Sequence, residues 1–172
     1  MGRQVKAVLF DRDGTLIKDV PYNGDPHRVE PVPTAACALK LLRTKGIRTG
    51  VITNQSGVAR DVITPQQVGQ VNVRVEQLLG AFDTWQVCPH GPDDGCPCRK
   101  PEPGMVLAAC AALNLSPDEV VVIGDIESDM TAARNAGARS VLVPTAVTRV
   151  EEIERAAVTA IDLKAAVDWA LS

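Results

Sequence analysis

Two carboxylates, Asp11 and Asp13, stand one residue apart at the end of the apolar run Val8-Leu9-Phe10, and Gly14 and Thr15 follow them. Like charges at a strand tip repel and need a cation or a shared proton. A hard dication such as Mg²⁺ meets that need, and beside it one carboxylate can attack a phosphorus while the other moves a proton. Residues i and i+2 of an extended segment point the same way, so both acids can reach one phosphate. Taken alone, Asp-x-Asp-Gly suits a strand-to-turn cap equally well. Other positions add chemistry of the same kind: Thr53 and Asn54 end a second apolar run, Gly124-Asp125 ends a third with Asp129 four residues on, and Lys100 supplies a cation. Acids, a hydroxyl with an amide, and a cation are the parts that phosphoryl transfer requires around its equatorial oxygens. Each has an ordinary structural reading as well. Thr53 can be a strand-end hydroxyl, Lys100 a solvated surface charge, and Asp129 a first-turn acid favoured by the helix dipole.

A second cluster is Cys88, His90, Cys96 and Cys98 in a loop rich in Pro and Gly. Three thiols and an imidazole form a complete tetrahedral Zn²⁺ set; with no open position for water, such a zinc is structural. The alternative is a group of reduced cysteines beside an exposed His. Arg99 and Lys100 follow Cys98 directly, so a pinned loop would fix two cations, and Arg suits a second anionic or polyhydroxyl part of a ligand. Cys37 and Cys110 lie in apolar, helix-like segments and are expected to be buried as small hydrophobes.

The elements that must carry these residues alternate. Strands are expected at 8–10, 49–53, 84–87, 120–123 and 140–143, with a weak one near 159–161. Helices are expected at 34–45, 64–79, 103–113, 128–136, around 151–156, and at 163–171 behind an Asp162 cap. The stretch 18–33, rich in Pro, Gly and Asn, reads as a lid-like loop in which His27 is a solvated residue. Short apolar strands without period-2 alternation, separated by helices, imply an α/β fold: a mostly parallel, Rossmann-like sheet with helices on both faces, three layers in all. Ligands in such folds bind beyond the carboxyl ends of the strands, where Asp11, Asp13, Thr53, Asn54 and Asp125 fall. No interval between these motifs can hold a separate cap domain, so residues 1–172 read as one domain.

An apolar fraction of 45% over 172 residues supports a globular chain, and a net charge of -3 without a Lys/Arg run gives no pull toward nucleic acid or an anionic membrane. The start lacks the apolar region of a signal peptide and no segment is long enough to span a bilayer, which implies a cytoplasmic protein. A monomer acting on a small phosphorylated metabolite is expected.

The motifs together resemble the phosphatases of the haloacid dehalogenase (HAD) superfamily: Asp11-Arg12-Asp13-Gly14-Thr15, Thr53-Asn54, Lys100, and Gly124-Asp125 with Asp129 stand in the order of its four motifs. The resemblance implies that Asp11 is the nucleophile of an aspartyl-phosphate and that Asp13 protonates the leaving oxygen and then activates water. It implies that Asp11, Asp125 and the carbonyl of Asp13 hold Mg²⁺ with Asp129 in support, and that Thr53 and Lys100 bind the phosphoryl group. Asn54, bracing its turn, joins Gln55, Ser56 and Arg99 as substrate-binding, with 19–22 nearby. Cys-Arg-Lys-Pro after the last thiol is similar to two zinc-loop groups, the D-glycero-D-manno-heptose 1,7-bisphosphate phosphatases and the histidinol-phosphate phosphatases. Asn54 to Arg60 and Gly124-Asp125 with Asp129-Met130 resemble the heptose group, while the five-residue gap between His90 and Cys96 is closer to the histidinol group. Ile126 departs from both, which usually carry a cation there. The leading expectation is removal of the 7-phosphate of the heptose bisphosphate. A non-catalytic zinc-stabilised module and a polynucleotide end phosphatase are the competing classes, the latter disfavoured by the absence of a basic groove or stacking aromatics.

Overall fold

The computed structural model describes residues 4–172. Five parallel strands, β1 (Ala7–Phe10), β2 (Arg48–Asn54), β3 (Thr84–Cys88), β4 (Val120–Gly124) and β5 (Arg139–Leu142), form one sheet in the order β3-β2-β1-β4-β5. The central strand β1 is buried along its whole length, which is why its sequence is a continuous apolar run rather than an alternating one. Its register aligns Phe10 with Val51 on one side and with Ile123 on the other. The three strand ends that carry acids or amides are therefore neighbours at one rim.

The period-2 geometry of the strands feeds two separate cores. Val8, Phe10, Val51, Val121 and Ile123 face a layer made by α1 (Ala35–Thr44), α2 (Pro65–Leu79) and α6 (Leu163–Ala170). Ala7, Leu9, Ile52, Val120 and Val122 face α3 (Gly104–Leu113) and α4 (Glu127–Ala136). A short α5 (Val150–Arg155) precedes the last helix. Thr64 and Gln67 close a reciprocal cap on α2 ahead of Pro65, and Asp162 caps α6 by accepting from the Ala165 amide at 2.8 Å. No helix of the described residues is long and apolar enough to cross a membrane.

Three expectations need adjustment. The segment near 159–161 makes only an isolated bridge, Thr159 to Leu142, and Ile161 is exposed. Cys110 is buried, but Cys37 is exposed: α1 turns Ala35, Ala38, Leu39 and Leu42 inward, and position 37 falls on the opposite face of that stripe. The 18–33 stretch is tethered rather than loose, through a bridge from Ile17 to Pro31, a Lys18 amide bond to the Glu30 carbonyl at 2.8 Å, and a 3₁₀ turn at Pro26–Arg28.

Candidate active site

At the carboxyl rim of β1, β2 and β4 the chain departs from the sheet in polar turns, and the strand order brings Asp11, Asp13, Thr53, Asn54 and Asp125 together. Lys100 arrives from the loop between β3 and α3. Its ammonium is buried and donates to Asp11 Oδ1 at 2.7 Å, to Asp129 Oδ1 at 2.6 Å and to the Ile52 carbonyl at 3.1 Å. Three acceptors saturate an ammonium. Asn54 fixes the backbone that delivers it: its Oδ1 accepts from the Lys100 amide at 3.1 Å and its Nδ2 donates to the Lys100 carbonyl at 3.2 Å. Asp129 is fully buried and also accepts from the Ile126 amide, so it caps α4 and holds Lys100 at once.

Two glycines make the close approaches possible. A Cβ on Gly14, whose φ is +87°, would lie 2.4 Å from Asp125 Oδ2, and one on Gly124 would lie 2.3 Å from the Asp129 carboxylate.

Burial dominates the electrostatics. It pushes the Asp11 carboxyl well above its ordinary range, with Lys100 opposing and Asp129 and Asp125 adding to the rise. Burial and the nearby Asp129 push Asp125 up to about 7. Burial works against the Lys100 charge, yet Asp11 and Asp129 hold it well above the usual lysine value. Carboxylate oxygens of Asp11, Asp125 and Asp129 lie within 4.8 Å of one another. Three buried acids set against one ammonium leave an excess of negative charge among hard oxygen donors, a set that fits Mg²⁺.

Among the described residues, every hydrogen bond to the Asp13 carboxylate falls on one oxygen. Arg12 reaches Oδ2 with Nε at 3.1 Å and Nη2 at 2.9 Å, and Gln55 Nε2 donates to it at 2.8 Å. Gln55 Nε2 also donates to Thr53 Oγ1 at 2.9 Å, so both amide hydrogens of this buried side chain are committed within the protein. Gln55 therefore supports Asp13 and Thr53, with only its Oε1 left for a ligand. Asp11, Asp13, Asn54, Lys100 and Asp125 line a cleft of about 200 Å³ whose lining also includes Asp19, Ile126 and Val147. A neighbouring recess of about 150 Å³ adds Tyr22 and Ser56. Arg99 lines neither; its guanidinium donates to the His90 carbonyl at 3.3 Å and faces a third cavity, which shares Lys100 with the cleft. Three contributors have no role in the sequence reading: Arg12, which stands in the first motif without one, Asn72, and Thr148, whose hydroxyl donates to the Asp125 carbonyl at 2.7 Å. Nothing in their spacing marks them: Thr148 acts on Asp125 from 23 residues away, and Arg12, though next to Asp13, is braced by Asn72 sixty residues on.

The cysteine loop is assembled as expected. Cys98 Sγ lies 3.1 Å from Cys88 Sγ and 3.5 Å from Cys96 Sγ, and the latter two sulfurs are 3.6 Å apart. His90 Nδ1 lies 3.5 Å from Cys88 Sγ and 3.3 Å from Cys98 Sγ. These separations exclude disulfides, whose sulfurs sit about 2.05 Å apart, and approach the edges of about 3.8 Å that a tetrahedral zinc thiolate spans. Burial and the neighbouring thiols push Cys98 up to about 12. Against its own desolvation, Cys96 is drawn down to about 7 by the Arg99 amide and the Cys98 thiol. Three thiols so close cannot all ionise without a cation, so the donor set fits Zn²⁺. The Arg99 amide donates to Cys96 Sγ at 3.3 Å, joining the cluster to the backbone that carries Lys100.

Comparison with known proteins agrees with this geometry. Residues 8–84 match the family model described as haloacid dehalogenase-like hydrolase, and residues 97–166 match a second, HAD-hydrolase-like model. The D-glycero-β-D-manno-heptose-1,7-bisphosphate 7-phosphatase of Pseudomonas putida is 35% identical over 146 residues, covering 82% of this chain and 83% of that protein. Its counterpart in Haemophilus ducreyi is 36% identical over 152 residues, covering 81% and 84%. The crystal structure of D,D-heptose 1,7-bisphosphate phosphatase from Bordetella bronchiseptica, complexed with magnesium and phosphate, superposes with a TM-score of 0.85 at 27% identity and covers 96% of this chain and 97% of that one. With its sheet order, its rim of acids and these relatives, the chain belongs to the haloacid dehalogenase-like hydrolases.

Proposed function

We propose that this phosphoric monoester hydrolase removes the 7-phosphate from D-glycero-D-manno-heptose 1,7-bisphosphate, using Asp11 as nucleophile. The observation that carries the reading is the placement of Asp11: its Oδ1 is held by Lys100, beside Asp125 and within one cleft with Asp13. Pairing with Lys100 orients the carboxylate and removes it from bulk water, so a phosphate that takes over one of the three Lys100 hydrogen bonds, with Thr53 beside it, lies in reach of its free oxygen. Asp13 then supplies the proton to the leaving sugar oxygen and recovers it from the water that cleaves the aspartyl-phosphate. Mg²⁺, which Asp11 and Asp125 would hold, supplies neutralisation of the charge on the phosphate oxygens.

The heptose assignment rests on the relatives, which bear that activity in their names and align over four fifths of the chain. The histidinol-phosphate reading is favoured by the short His90–Cys96 spacing; Ile126, which puts an apolar side chain in the cleft lining, departs from both groups. Thiols kept reduced suit a cytoplasmic setting. The deciding experiment is phosphate release from both anomers of the heptose bisphosphate, fructose bisphosphate and histidinol phosphate, with and without Mg²⁺. The heptose bisphosphate should give the highest kcat/KM, and only with Mg²⁺. Asp11→Asn should lower it on the order of 10³-fold or more. Preference for histidinol phosphate would overturn the substrate, and unchanged turnover by the variant would overturn the nucleophile.

A further inference from the structure

Arg12 is, among the described residues, the largest side chain to be almost completely buried, 1% exposed, and it stands between the two acids at the end of β1. A buried guanidinium is costly unless anions and acceptors meet its donors. Here Nε and Nη2 grip Asp13 Oδ2 at 3.1 and 2.9 Å, while Nη1 donates to Asn72 Oδ1 at 2.7 Å. Asn72 sits on α2, sixty residues away, between the inward-facing Val71 and Val75. Gln55 completes the arrangement by donating to the same Asp13 oxygen at 2.8 Å. The chain of contacts thus runs Asn72, Arg12, Asp13, Gln55, Thr53. Three donors converge on Oδ2, and among the described residues none is directed to Oδ1.

A forked pairing fixes direction as well as charge, because the planar guanidinium admits one approach. We propose that Arg12, braced by Asn72, is the positioning residue for Asp13, pinning Oδ2 so that Oδ1 is the oxygen that gives and takes the proton. The proposal rests on the reading of Asp13 as acid and base. In the first step Asp11 forms a bond to phosphorus, the bond from phosphorus to the sugar oxygen breaks, and the proton on Asp13 Oδ1 passes to that oxygen. In the second, water bonds to phosphorus, the bond to Asp11 breaks to release phosphate, and one proton of the water passes to Asp13 Oδ1. Both steps need the same oxygen in place and neither needs Arg12 to touch the substrate.

Leaving-group dependence separates this role from a merely structural one. A sugar alkoxide must be protonated as it departs, whereas p-nitrophenolate leaves unaided, so a displaced Asp13 harms the first substrate at the first step and the second only at the water step. Arg12→Lys keeps the charge but loses the fork; Asn72→Ala removes the brace from a helix that tolerates Ala, which guards against loss of fold. Circular dichroism checks that both are folded. For the sugar phosphate, kcat/KM should fall by about 100-fold in Arg12→Lys and about tenfold in Asn72→Ala, while kcat/KM for p-nitrophenyl phosphate changes by less than about threefold. Rapid mixing with p-nitrophenyl phosphate should show a burst approaching one nitrophenolate per active site that the unaltered enzyme lacks. Parallel losses on both substrates, or a rise in KM with kcat retained, would overturn the proposal. Asp13→Asn serves as the reference. If it lacks the selective loss, the reading of Asp13 fails; if it shows the loss and the folded Arg12 and Asn72 variants do not, only the positioning role fails.

Discussion

At the scale of single residues, the charge state of Asp125 is the most sensitive element of the site. Burial, with Asp129, raises it to about 7, so the folded protein holds that proton more tightly than the unfolded chain does. Between the ordinary carboxylate range and about 7, the metal-free fold therefore gains stability as pH falls and loses it as pH rises. A metal competes for the same oxygen. The expected outcome is a Mg²⁺-induced rise in Tm that is small at pH 5.5, grows toward pH 7 and levels above it, measured by thermal melts with Mg²⁺ and with chelator. A Mg²⁺ effect that shrinks across that range would contradict the assignment of Asp125. The reactive acids were legible in the sequence because their spacing is set by β1 alone. The roles of Arg12, Asn72 and Thr148 were not, because a side-chain bridge such as Arg12 to Asn72 joins the turn after β1 to α2 and leaves no local pattern. Gln55 was read as a substrate contact, and only the hydrogen bonds to Thr53 and Asp13 show where its amide is spent.

At the scale of elements, the loop between β3 and α3 delivers Lys100 by two anchors. The first is Asn54, which bonds both backbone groups of Lys100. Asn54→Ala should cost about 1–3 kcal/mol in chemical denaturation, since it strands a partly buried amide and carbonyl, and should lower kcat by at least about tenfold through a displaced ammonium. The second anchor is the cluster of Cys88, His90, Cys96 and Cys98. Cys98→Ser should lower bound zinc, measured by atomic emission on the purified protein, from one per chain to substoichiometric. It should lower Tm by at least about 5 °C and reduce turnover with it, because a loop this polar has little else to hold it. Zinc loss that leaves Tm and turnover intact would mean that Asn54 alone suffices. The strands and major helices could be read from apolar runs and caps such as Thr64 and Asp162. The 159–161 segment could not, since a single bridge to Leu142 leaves no periodicity to detect. Cys37 misled because its segment is apolar on average although its own face of α1 meets solvent.

At the scale of the whole molecule, one sheet serves two cores, and its central strands belong to both. Leu9 points toward α3 and α4, Ile123 toward α1, α2 and α6, and both are fully buried. Leu9→Ala and Ile123→Ala should each cost about 2–5 kcal/mol. Each should shift the urea midpoint of a single transition without changing its slope, because neither helical layer can detach while β1 and β4 remain paired. Two separated transitions would show that the layers unfold independently. The alternation of short apolar strands with helices was enough to place the acids on one rim, which is the part of the architecture that chemistry depends on. A single residue, Arg99, separates the zinc-cluster thiol of Cys98 from the active-site Lys100. If thiol oxidation strips the metal during purification, the affected molecules remain in the protein concentration but drop out of turnover. Preparations should then differ in apparent vigour while sharing one rate constant, and specific activity normalised to zinc content, rather than to mass, should collapse them onto a single value.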